Sequence, residues 1–141
     1  AQSILVRLET DLVEICEAIV SGRLAELDVE WRPGASATIV LASAGYPGSP
    51  KKGDPINGLR DAAMVPGVTI FHAGTRLESR GIAAATGYSE QPSPVSFVTA
   101  GGRVLGVTAI GDEIGDALRT AYTAVSKIDW PGMQFRRDIG K

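Results

Sequence analysis

Between residues 27 and 109 the apolar residues come in short runs rich in Val, Ile and Thr, each closed by glycine or proline. That punctuation restricts the chain to short strands joined by tight turns. Leu27, Val29 and Trp31 alternate with Asp28 and Glu30, the period of a half-buried strand. Pro33 and Gly34 supply a turn, and the β-branched run Thr38-Ile39-Val40-Leu41-Ala42 follows as the expected hairpin partner of 27–31. Val68-Thr69-Ile70-Phe71-His72, residues 95–99 and residues 103–109 read as further strands.

Helical spacing occurs near the two ends. Leu12, Ile15, Cys16, Ile19 and Val20 form one apolar face over 11–21, with Thr10 or Asp11 as N-cap and Gly22 as the stop. Cys16 on that stripe reads as a small buried hydrophobe, since no cationic group adjoins it in sequence. Ile114, Leu118, Ala121, Tyr122 and Val125 form the second stripe, with Asp112 as the expected N-cap. The larger members contribute about 1.5–3 kcal/mol each if fully buried. Short strands with two flanking helices, and no βαβ alternation, predict an α+β domain built on a small antiparallel β-sheet.

Composition excludes several functions. The 141 residues carry 14 Lys+Arg against 16 Asp+Glu, so no basic excess points to nucleic acid or to an anionic membrane surface. One cysteine cannot form an internal disulfide, and no apolar run is long enough to suggest a membrane helix. A soluble protein of a reducing compartment, the cytoplasm, is expected. With one histidine and no CxxC, HExxH, GxxxxGK[ST] or GxSxG motif, neither a metal centre nor a self-contained hydrolase is expected.

The glycine clusters are the candidate sites. Gly101-Gly102-Arg103 leaves backbone N–H groups accessible beside a planar guanidinium, a pattern suited to phosphate or carboxylate; a Gly-Gly hairpin turn with a solvated arginine is the competing reading. Tyr46, Pro47 and Gly48, followed by Lys51 and Lys52, form a glycine-bearing loop with positive charge after a strand, or else a plain surface loop. His72 shares a strand face with Val68 and Ile70, either as a core histidine or as a substrate contact. Arg136 and Arg137 read as a solvated or salt-bridged terminus. Residues 78–94 carry Gly, Ser, Gln and Pro with weak periodicity and are expected to form an excursion between strands.

GYPGSPKKGDPINGL at 45–59, FHAGT at 71–75, GGRVLGVTAIGD at 101–112 and RRDIG at 136–140 stand in the order seen in the glycinamide ribonucleotide synthetase, or phosphoribosylamine-glycine ligase, family. The chain resembles the C-terminal domain of that ATP-grasp enzyme. Residues 1–24 resemble the truncated end of the ATP-grasp domain, and 25–141 the C-terminal domain. The resemblance implies a purine-biosynthesis ligase that makes glycinamide ribonucleotide through an acyl phosphate, with this portion capping the active site. ATP and Mg (or Mn) would be held mainly by the upstream ATP-grasp domain, whose acidic ligands precede Ala1, so no metal ligand or catalytic residue and no turnover is expected of this portion alone. Substrate contacts with phosphoribosylamine and glycine fall on Gly101, Gly102 and Arg103, then on Tyr46, Pro47, Gly48 and Lys52, then on His72 and Thr75. Residues 83–94 look like an insertion, and Pro50 stands where an aromatic residue is common. The rival expectation is a stand-alone module with the same fold that binds a small anion or a separate partner and catalyses nothing.

Overall fold

The computed structural model describes residues 1–78 and 96–141. It is α+β, in the order α1 (Gln2–Leu5), α2 (Leu12–Val20), β1 (Ala35–Ala42), α3 (Leu59–Ala63), β2 (Val68–His72), β3 (Thr75–Glu78), β4 (Ser96–Thr99), β5 (Arg103–Gly111) and α4 (Ile114–Val125), with a short 3-10 turn at Leu24–Glu26. An antiparallel sheet of order β1-β5-β2 carries the domain, and β3 pairs with β4 in a second sheet. No helix among the described residues is long and apolar enough to cross a membrane.

Strand β5 is central because residues 104–109 are buried on both faces, which only a strand flanked on both sides can satisfy. Ile39 lies opposite Val107 and Leu41 opposite Leu105 on one side, and Ile70 lies opposite Val107 on the other. Helix α4 packs over this face through Ala117, Ala121 and Ala124, whose small side chains let the helix approach closely; Val125, Ile128 and Trp130 complete the core. On the opposite face the Thr38 and Thr108 hydroxyls share a hydrogen bond of 2.7 Å.

Three expectations need correction. Residues 27–31 form no strand and no hairpin with β1: Arg32 N–H donates to the Arg7 carbonyl at 2.7 Å, Glu9 N–H to the Glu30 carbonyl at 3.0 Å, and Trp31 makes one isolated bridge to Leu8. The acidic run has only one apolar face, so it lies along residues 7–10 at the periphery, while β1 takes the longer, largely apolar β5. Asp11 does cap α2, accepting from Val13 N–H at 2.7 Å, and Gly22 follows at φ +70°. The α2 stripe, however, is not buried: Leu12, Ile19 and Val20 are exposed, and so is Cys16. The N-cap of α4 is Glu113 rather than Asp112, and its own N–H donates to the Asp116 carboxylate at 3.3 Å. Ile114, at the exposed start of α4, is the one member of the second stripe left out of the core.

Helices α1 and α3 and strand β3 carried no signal in the periodicity. The 83–94 insertion and all of the 78–94 excursion beyond Glu78 lie outside the described residues.

Candidate functional site

The end of β1, the β2–β3 link and the β4–β5 link meet at one place, and Ser43 ties the first to the third. Ser43 is fully buried; its N–H donates to the Gly102 carbonyl and its Oγ to the Gly101 carbonyl, both at 2.9 Å. The Ser43 carbonyl in turn accepts from Tyr46 N–H at 3.2 Å, which fixes the start of the 45–50 loop. From the other side Gly74 N–H donates to the Arg103 carbonyl at 2.9 Å and Ala100 N–H to the Gly74 carbonyl at 2.7 Å. A β-carbon on Gly74 would stand 2.5 Å from that Arg103 carbonyl oxygen and 2.8 Å from Gly101 Cα, so glycine is required there by the approach of two backbones. Because β4 pairs with β3 and β5 with β1 and β2, the Gly101-Gly102 turn passes between sheets and is not a hairpin.

A register shift between Leu41 and Ala42 aims the arginine. Val40 lies opposite Gly106, yet Ala42 lies opposite Arg103, three residues away from Gly106 and not two. The extra residue on β5 rotates Arg103 onto the outer face, the face of Val40, and off the core face that Leu105 and Val107 occupy. Arg103 is exposed there and has no ion pair or side-chain hydrogen bond among the described residues.

A cavity of about 750 Å³ opens at this point, lined by Tyr46, Gly74, Gly102, Arg103, Gly106 and, from the start of the chain, Ala1 and Gln2. The Gln2 amide lies over Gly106, where a β-carbon would come within 2.4 Å of its Oε1. On the far side of Tyr46 and Arg103 a second hollow of about 440 Å³ runs to Phe135 and Arg136. Gln134 adds to the edge of β1 there, exchanging hydrogen bonds of 2.8 and 2.9 Å with Ala42. Arg136 is held by Asp138 at 2.9 and 2.6 Å, and that hydrogen bond draws the Asp138 carboxyl below its ordinary range.

Of the residues expected at a site, the fold therefore brings together Gly101, Gly102, Arg103 and Tyr46. Pro47 and Gly48 lie in the exposed part of the same loop and line neither hollow. Lys52 is exposed beyond them, while its neighbour Lys51 is paired with the nearly buried Asp54 at 2.6 Å. His72 and Thr75 are bonded to each other, Nδ1 to Oγ1 at 2.9 Å, and the His72 ring lies against Phe97 at 4.4 Å between centroids. His72 is exposed, so it is not a core histidine. Ser43, Gln2, Gly74 and Gly106 belong to the site without having been singled out. Gly74 and Gly106 sit inside motifs already noted, whereas nothing in the sequence marks Ser43 or Gln2. Among the described residues, no three His, Cys, Asp or Glu side chains converge to hold a metal ion.

The family model described as phosphoribosylglycinamide synthetase, C domain, matches residues 36–141. A chloroplastic phosphoribosylamine-glycine ligase from Arabidopsis thaliana is 44% identical over 140 residues, which are 99% of this chain and 24% of that protein. The phosphoribosylamine-glycine ligase of Vigna unguiculata is 43% identical over 132 residues, 93% of this chain and 38% of its own length. The crystal structure of phosphoribosylamine-glycine ligase from Thermotoga maritima superposes with a TM-score of 0.61 at 31% identity, covering 88% of this chain and 27% of that one. The chain thus spans about a quarter to two fifths of the length of these relatives.

Proposed function

Since the chain belongs to the phosphoribosylglycinamide synthetase family, through the C domain matched over residues 36–141, we propose that it is the C-terminal portion of an ATP-dependent ligase joining glycine to phosphoribosylamine in purine biosynthesis. In the overall reaction the glycine carboxylate takes the terminal phosphoryl group of ATP and ADP leaves. The amine of phosphoribosylamine then attacks the acyl carbon and expels phosphate. The metal and the nucleotide are assigned to the part of the enzyme that this chain does not span.

The role assigned to this portion is to cap the active site and grip an anion. The observation that carries it is Arg103, turned by the bulge onto the rim of a cavity and left without a counter-charge among the described residues. A guanidinium so placed binds phosphate or carboxylate through two parallel hydrogen bonds, and a cap lengthens the life of an acyl phosphate by excluding water. Residues 1–24 are assigned to the upstream ATP-grasp domain. The exposed apolar face of α2 supports this boundary, since a stripe of Leu12, Ile19 and Val20 facing solvent is otherwise unaccounted for.

The test is ADP release with glycine, phosphoribosylamine and magnesium, comparing this chain with one extended upstream through its native reading frame. Turnover is expected only in the extended chain. Glycine-dependent turnover by the 141 residues alone, or none after extension, overturns the proposal; the second result favours a stand-alone module that binds a small anion.

A further inference from the structure

The Gly101-Gly102-Arg103 turn is held from behind by one residue. Ser43 bonds the carbonyl oxygens of two successive residues, Gly101 through its Oγ and Gly102 through its N–H. In a planar trans peptide the C=O and the following N–H point in opposite directions. With both carbonyls drawn toward Ser43, the N–H groups of Gly102 and Arg103 are turned away from it. The Gly102 N–H has no hydrogen-bond partner among the described residues, and both residues line the 750 Å³ cavity. Two successive N–H groups directed to one side form a concave anion site, here on the same three residues that carry an unpaired guanidinium.

We propose that Ser43 is a positioning residue: by holding the Gly101 and Gly102 carbonyls it presents the Gly102 and Arg103 amides as a cradle for a phosphate monoester, next to the Arg103 side chain. This deepens the anion-grip reading given above and rests on it. Ser43 itself, fully buried, touches no ligand. Its backbone bond is open to every residue but proline, so the hydroxyl bond to Gly101 is the part that a Ser43→Ala variant removes.

The test uses the 141-residue chain with inorganic phosphate as the probe, following the backbone amide resonances of Gly102 and Arg103. In the parent both resonances shift and saturate. In Ser43→Ala the half-saturating phosphate concentration rises about 5- to 10-fold while the folded spectrum is retained. Ser43→Thr and Ser43→Val add similar volume and differ in the hydroxyl, so Thr is expected to keep tighter phosphate binding than Val. A merely structural serine would leave phosphate affinity equal in all folded variants, and that equality overturns the proposal, as does the absence of any shift in the parent. In the extended chain Ser43→Ala is expected to raise KM for phosphoribosylamine and leave KM for ATP unchanged. An extended chain without turnover, but with saturating amide shifts, would remove the ligase reading and leave the cradle standing.

Discussion

The ring of Tyr46 fills the space that a β-carbon on Gly102 would need: such an atom would stand 2.4 Å from Tyr46 Cδ2 and 3.0 Å from Cε2. Gly102 has no positive φ, so the demand for glycine there is steric and comes from one side chain. Gly102→Ala is expected to cost about 1–3 kcal/mol by overpacking. Tyr46→Ala opens the space, so the double variant should recover at least about 1 kcal/mol relative to the sum of the singles. Denaturant unfolding of the four proteins measures this. Strict additivity would show that the ring swings clear at no cost.

Arg103 separates stability from function. Its exposed side chain makes no bond among the described residues, so Arg103→Ala should change unfolding free energy by less than about 0.5 kcal/mol. In the extended chain it should reduce kcat/KM for phosphoribosylamine by the equivalent of about 1.5–3 kcal/mol, the value of a charged hydrogen bond. ATP use should be less affected. Unchanged kinetics would return Arg103 to a solvated turn residue.

Two glycines with left-handed backbones should respond very differently to alanine. At Gly58, φ is +75° and a β-carbon would lie 1.7 Å from the Lys127 carbonyl oxygen, a backbone atom that cannot move without unseating the chain after α4. At Gly53, φ is +90° and the space is open. Gly53→Ala should cost about 1–2 kcal/mol from the backbone conformation alone. Gly58→Ala should cost upwards of about 3 kcal/mol, in the range reserved for severe steric conflict. Thermal melts of the pair check the order.

Strands β1, β2 and β5 were legible because each carries a run rich in β-branched and apolar residues, buried in β1 and β5 and half-buried in β2, and α4 because its stripe faces that sheet. The pairing was less legible. The alternation of Leu27, Val29 and Trp31 looks like a strand, but alternation reports one apolar face and says nothing of which neighbour supplies the hydrogen bonds. The α2 stripe was read correctly as a helix and wrongly as buried, since periodicity does not reveal whether a partner is present. In the site, Gly102 and Arg103 could be named from their types. Their outward aim depends on a one-residue bulge opposite Leu41 and Ala42, and on Ser43 across the strand, which are long-range relationships. His72 and Thr75, three apart in sequence, bond each other, a pairing their residue types allow but do not specify.

The Arg136–Asp138 pair gives a pH dependence whose sign follows from the carboxylate. The hydrogen bond from Arg136 lowers the Asp138 value in the folded state. Its contribution is therefore complete above the ordinary carboxylate value and lost as pH falls through the lower folded value. Both groups are fully exposed, so the effect is small and screened by salt. Asp138→Asn should lower the urea midpoint slightly at neutral pH, and the gap between variant and parent should close in strong acid and in concentrated salt. A gap that widened in acid would contradict the assignment.

Val20 tests where the domain boundary lies. It is 89% exposed at the end of α2, on a helix that packs chiefly against the Leu24–Glu26 turn. In the 141-residue chain Val20→Glu removes no buried apolar contact, and the unfolding free energy should stay within about 0.5 kcal/mol of the parent. If residues 1–24 belong to an upstream domain, the same side chain is covered in the extended chain, and placing a carboxylate there should cost at least the about 1.5–3 kcal/mol of a buried valine. The comparison is a difference between two differences, so the helix propensity of glutamate cancels. Equal effects in the short and extended chains would show that α2 faces solvent in both, and would move the boundary of the upstream domain to before residue 12.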